Sequence, residues 1–85
     1  MKKKINLNTH FAQQVIAAAQ AGCNVLNPGE VREARQLCGL EFWDKLSKKQ
    51  QPNAGQIVSQ AADDGLLPLI KLERSQSNHL RYEQI

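Results

Sequence analysis

The residue types able to do chemistry are few and scattered. Cys23 and Cys38, taken with His10 or His79, supply the atoms of a nucleophile and a base. Nucleophilic catalysis needs the base to be held by a third group, and no motif supplies one. Asp63 and Asp64 are adjacent, so on a helix their side chains diverge by about 100° and form no acid–base pair. The sequence has no CxxC pair, P-loop, GxGxxG or zincin spacing, and both histidines lie far from the cysteines. The expectation is a protein with no catalysis, no cofactor and no metal. A second group of residues suits recognition. Asn53, Gln56, Ser59 and Gln60 recur at helical spacing, and amide side chains pair well with adenine edges in a major groove. Lys48, Lys49, Arg74 and Arg81 stand on either side of them in sequence, and cations of this kind hold phosphates.

Composition sets the scale of what these residues can be mounted on. The chain has 85 residues, 41% of them hydrophobic and 22% charged, which is one domain's worth and too apolar for a disordered chain. Its aromatics are Phe11, Phe42, Trp43 and Tyr82. Eleven basic and eight acidic side chains give a net charge of +3. Lys2, Lys3 and Lys4 account for all of that excess, so the basicity belongs to the N-terminus. Residues 1–7 are expected to be a flexible basic tail and residues 8–85 a single domain. The stretch after the lysines is interrupted by Asn6, Asn8, His10, Gln13 and Gln14. It therefore offers no secretory h-region, and no apolar run is long enough for a membrane helix. Two thiols without a dense disulfide framework fit a reducing compartment, so the expected location is the cytoplasm.

The elements follow from periodicity and punctuation. Residues 9–21 place Phe11, Val15, Ala18 and Ala19 on one helical face beside Ile16, with Asn8 or Thr9 as cap and Gly22 as stop. Cys23, Asn24, Val25 and Leu26 read as a brief strand. Asn27, Pro28, Gly29 and Glu30 have the pattern of a capping box with proline at the first helical position. They predict a second helix running to Cys38, ended by Gly39, with Val31, Ala34, Leu37 and Cys38 inward. Phe42, Trp43 and Leu46 form a short helical turn with Trp43 as a core anchor, before Pro52 breaks or restarts the chain. Residues 52–64 predict a third helix, with Ala54, Ile57, Val58, Ala61 and Ala62 inward and Gly65 as its stop. Leu66–Glu73 then reads as a strand, which Pro68 places at an edge or near a strand start, and His79–Ile85 alternates, making a β-hairpin with a polar loop over residues 74–78. Its apolar face, Ile70, Leu72, Leu80 and Tyr82, is expected to lie over the helices, with Val25 and Leu26 as a third strand.

The order helix, strand, helix, helix, strand, loop, strand is that of a winged helix-turn-helix domain. Trp43-x-x-Leu46, Gly55, Val58, Gly65, Pro68-Leu69, Asn78 and Tyr82 resemble the pattern of small winged-helix-type bacterial domains, many carried by phages and mobile elements. The resemblance covers residues 40–85. It implies an α+β fold with a three-helix core and a C-terminal β-hairpin. The wider class implies DNA binding, with the third helix in the major groove and the wing on the backbone. Two features depart from that pattern. About thirteen residues separate the second helix from the third, where a helix-turn-helix uses three or four. The third helix carries no Lys or Arg on its outward face and ends in Asp63-Asp64. An alternative register pairs the helix at 28–38 with one running from Leu40 to about Gln50, exposing Lys45, Lys48 and Lys49. The first functional expectation is a small DNA-binding regulator using Asn53, Gln56, Ser59 and Gln60 on bases and Lys48, Lys49, Arg74 and Arg81 on phosphates. The second is a protein-interaction module on the same fold, an adaptor or inhibitor. Both exclude a membrane and are compatible with a homodimer.

Overall fold

The computed structural model describes residues 6–74 and 79–85. Their elements are α1 (His10–Asn24), β1 (Val31–Glu33), α2 (Ala34–Cys38), α3 (Leu40–Asp44), α4 (Gln50–Asp63), β2 (Leu69–Arg74) and β3 (Leu80–Gln84). The fold is α+β, as expected: the helices pack on an antiparallel sheet of order β1-β3-β2, and β2 and β3 form the C-terminal hairpin. Lys2, Lys3 and Lys4, and the part of the hairpin loop at 75–78, lie outside the described residues.

α1 starts where a cap is available. Thr9 Oγ1 accepts the Ala12 N–H at 3.1 Å, satisfying one of the orphan donors of the first turn. The helix does not stop at Gly22 but continues to Asn24. Ala12, Val15, Ala19 and Cys23 form its buried stripe, and ending at Gly22 would take Cys23 off that stripe. Gly22 has a different task. A Cβ placed there would overlap the carbonyl oxygen of Leu37 and lie 2.7 Å from its carbonyl carbon. Glycine thus lets α1 touch the backbone of α2.

The predicted second helix from Pro28 is corrected to a turn and a strand. Half of the expected capping box is present. Glu30 Oε1 accepts the Asn27 N–H at 2.9 Å, and that bond holds the Glu30 carboxyl below its ordinary range. Gly29, however, has φ +90°, which no helix continues through. Gln84 of β3 takes the adjoining groups: Gly29 N–H donates to Gln84 O at 2.8 Å, and Gln84 N–H donates to Glu30 O at 2.9 Å. Pairing then runs on as Val31 with Glu83, Arg32 with Tyr82 and Glu33 with Arg81. A non-local ladder outcompetes the local helix signal. The third strand is therefore Val31–Glu33, not Val25 and Leu26, and Val25 is 81% exposed. A second cap, the Glu33/Gln36 box, opens α2, with Glu33 N–H donating to Gln36 Oε1 at 2.9 Å.

The alternative register does not form. α2 and α3 meet at Gly39, with φ +94°, but α3 ends at Asp44. Phe42, Trp43 and Leu46 are half-buried against the core. The expected stripe on α4 holds, with Ala54, Ile57, Val58 and Ala61 buried. Gly65, φ +77°, closes the helix in a Schellman motif: Leu66 N–H reaches Ala61 O at 2.9 Å and Gly65 N–H reaches Ala62 O at 3.3 Å.

The hairpin face is off by one on β2. Leu69 pairs with Gln84 and Lys71 with Tyr82, and directly opposed residues share a face. Leu69, 5% exposed, goes inward with Tyr82, while Ile70 is 48% exposed. Because side chains alternate with a period of two, a one-residue slip exchanges the faces. The turn after α4 seats Leu67 in the core at 2% exposure and so sets that register.

Candidate nucleic-acid interface

The start of α4 is built by a signal that periodicity does not reveal. Ser47 and Gln50 cap each other: Ser47 N–H donates to Gln50 Oε1 at 2.9 Å, and Gln50 N–H donates to Ser47 Oγ at 3.1 Å. Gln51 N–H already reaches Ser47 O at 3.0 Å, so the first turn winds through Lys48 and Lys49. Helix α4 therefore begins before Pro52, which sits near its entry, where a missing N–H is least disruptive. Lys48 and Lys49, in the turn that enters this helix, and Asn53 and Gln56, in its N-terminal half, are all exposed.

Farther along, the polar face is engaged within the fold. Ser59 and Gln60 are half-buried. Gln60 Nε2 donates to Asp64 Oδ1 at 2.9 Å. Lys71, reaching across from β2, places Nζ 3.2 Å from Ser59 Oγ and 2.9 Å from Asp63 Oδ2. Sequence reasoning missed Lys71 because only its register opposite Tyr82 brings it under α4.

Between α4 and the hairpin runs an open groove of about 1280 Å³. Its lining includes Lys48, Gln56, Ser59 and Gln60 at and along α4, Lys71, Arg74, Leu80 and Tyr82 of the hairpin, and Leu40, Trp43 and Asp44 of α3. Five of the eight expected recognition residues thus meet on one concavity: Lys48, Gln56, Ser59, Gln60 and Arg74. Asn53 lies on the far shoulder of α4, in a smaller hollow with Asn6, Thr9 and Phe11 that Gln56 also reaches. Lys49 and Arg81 are not part of the groove lining. Arg81 is half-buried opposite Glu33 and donates from Nε to Glu73 O at 3.2 Å.

Charge in the groove is nearly balanced. Arg35, Lys48, Lys71 and Arg74 face Glu33, Asp44 and Asp63. Glu33 Oε1 holds Arg35 Nε at 3.0 Å and lies 3.3 Å from His79 Nδ1. With Asp63 held by Lys71 at 2.9 Å, two of the three carboxylates have a cationic partner inside the groove.

Deeper titratable groups are held in their protonated forms near neutral pH. Both cysteines are free and buried. Burial pushes the Cys38 thiol up to about 12, with a smaller contribution from Cys23, and raises Cys23 as well; a thiol so raised is not a thiolate nucleophile. Burial also pushes Tyr82 up to about 12, against a hydrogen bond from Ser59 that acts the other way. Among the described residues no group of three or more His, Cys, Asp or Glu is placed to hold a metal ion, and no helix is long and apolar enough to cross a membrane.

Comparison of the chain with protein-family models, with curated proteins and with solved structures returned no match.

Proposed function

We propose that the protein binds double-stranded DNA as a small regulator, laying the N-terminal half of α4 in the major groove. The observation that carries this reading is the exposure of Lys48, Lys49, Asn53 and Gln56 together at one end of α4, with Arg74 across the groove. Two cations and two amide side chains on one short segment supply phosphate anchoring and base-edge contacts at once. The acidic end does not oppose this. Asp63 lies ten residues beyond Asn53 along α4, roughly 15 Å away, and Lys71 is paired with it.

Fluorescence anisotropy of the full chain on mixed-sequence duplex DNA at two salt concentrations tests the proposal. Binding should fall steeply with salt and survive removal of Lys2, Lys3 and Lys4. Lys48→Ala with Lys49→Ala should weaken binding to every sequence and lower the salt slope by up to about 2, whereas Gln56→Ala should cost about 1–3 kcal/mol at a preferred site and relax sequence preference. Binding that disappears with the tail, or equal loss from both changes, would sink the assignment.

A second reading draws on the near balance of charge in the groove and on Leu40, 59% exposed in its lining. On that reading the groove seats a protein partner. It predicts no salt-steep DNA binding, and a pull-down partner that Leu40→Ser releases.

A further inference from the structure

We infer that Lys71 is a positioning residue, a clasp that fixes the hairpin against α4 and so sets where the hairpin's Arg74 stands relative to the helix that enters DNA. The DNA consequence rests on the function proposed above; the clasp itself rests on geometry. Lys71 Nζ bridges two residues one helical turn apart, Ser59 Oγ at 3.2 Å and Asp63 Oδ2 at 2.9 Å. Its strand position is anchored by Tyr82, its partner in register, which is 1% exposed. A flexible cation on an exposed strand normally points to solvent. This one has its ammonium committed to two acceptors on another element, so it is poorly placed to serve as a phosphate contact.

The irregularity in β2 gives the clasp its second effect. Lys71 pairs with Tyr82 and Arg74 pairs with Leu80, with a register shift between them. Tyr82 and Leu80 are two residues apart and share a face of β3. Lys71 and Arg74 are three apart and would lie on opposite faces of a regular strand. The extra residue turns Arg74 onto the Lys71 face, and both line the groove. Bulges re-aim side chains in this way. Lys71 is thus the fixed point from which Arg74 projects along the groove, about 7 Å farther on, the two-residue advance of their partners on β3. The same bond gives Asp63 a cationic partner within the groove.

A charge-conserving pair of substitutions separates positioning from simple electrostatics. Lys71→Met removes one positive charge and Asp63→Asn one negative charge; together they leave the net charge unchanged but abolish the clasp. Three variants of the full chain, Asp63→Asn, the double variant and Lys71→Arg, would be compared with wild type. The readouts are hydrogen exchange of the β2 amides in the free protein, and DNA affinity with its salt slope. Circular dichroism confirms that each variant folds. If Lys71 positions the hairpin, the double variant exchanges faster along β2 and binds about tenfold more weakly with an unchanged salt slope, and Lys71→Arg keeps both at their wild-type values. If Lys71 is only a surface cation, Asp63→Asn tightens binding and steepens the slope by about 1, the double variant binds like wild type, and β2 exchange does not change. That result overturns the inference. Should wild type not bind DNA, the proposed function falls, and the exchange arm alone decides whether Lys71 holds the hairpin: faster exchange in the double variant upholds the clasp and unchanged exchange overturns it.

Discussion

Two junctions of this molecule are joined in opposite ways. Where α1 meets α2, the backbones themselves touch, at Gly22 against the Leu37 carbonyl, and the side chains around them, Ala19, Cys23, Leu37 and Cys38, are apolar and buried. Where α4 meets the hairpin, a groove of about 1280 Å³ stays open, crossed by a lysine reaching Ser59 and Asp63. The first junction has no room for a ligand and every reason to be stable. The second has walls of mixed polarity, solvent access and a lysine bonded from the strand to the helix. Small residues remove space where the helices pack tightly, and longer polar residues line the space that stays open.

The sharpest way to break the first junction is Gly22→Ala. Alanine ordinarily favours a helix interior by about 1 kcal/mol over glycine. Here its Cβ would meet backbone that has no rotamer to escape into, so we expect a net loss of about 3 kcal/mol in urea denaturation. A neutral or stabilising result would mean that α1 and α2 lie farther apart.

Alkaline titration probes both junctions, because Cys38 belongs to the first and Tyr82 floors the second. Their folded values of about 12 stand above the ordinary 9.0 and 10.0. An acid whose folded value is raised binds its proton more tightly when folded. Its contribution is complete below the unfolded value and is lost as pH climbs towards the folded one. Stability should hold to about pH 9 and decline steadily towards 12. Tyr82→Phe should remove the part of the decline that begins near pH 10. Denaturation midpoints measured across that range, with the same slope in the variant as in wild type, would show that Tyr82 is not the buried acid described.

A smaller effect is expected at the entry of α4. Ser47→Ala removes the hydroxyl that accepts the Gln50 N–H and should cost about 1 kcal/mol. It should also fray the turn that carries Lys48 and Lys49. Amide exchange confined to that first turn would sharpen the comparison by showing that the groove side loosens locally, whereas Gly22→Ala lowers global stability. The smallest change is expected at Val25, 81% exposed between α1 and β1. Val25→Ser should alter stability by no more than about 0.5 kcal/mol. A loss several times larger would mean that Val25 is buried after all, as a third-strand residue would be.

Much of the fold was legible in the residues alone, and the misses share a cause. The α4 stripe, its glycine stop, the Gly39 break and the C-terminal hairpin were read correctly because each depends on neighbours within one segment. The candidate site was legible in part. Lys48, Gln56, Ser59, Gln60 and Arg74 do converge, but Asn53, Lys49 and Arg81 do not line the groove, and Lys71 was not singled out. No local pattern distinguishes a lysine on a strand from a lysine clasped to a helix eight residues away in sequence.

The sequence by itself determined the helices of residues 10–24 and 50–63, where an apolar stripe and a cap coincide and no strand competes for the backbone, since helix hydrogen bonds are made within the segment. It also determined that the chain ends in a hairpin. Only the tertiary structure decided that residues 31–33 become a strand despite a capping box before them, and that Leu69 rather than Ile70 faces the helices. It alone decided that Gly22 is a point of contact rather than a stop. A strand has no partner of its own. Its existence, register and buried face are set by the chain it pairs with, and here that chain, β3, arrives some fifty residues later.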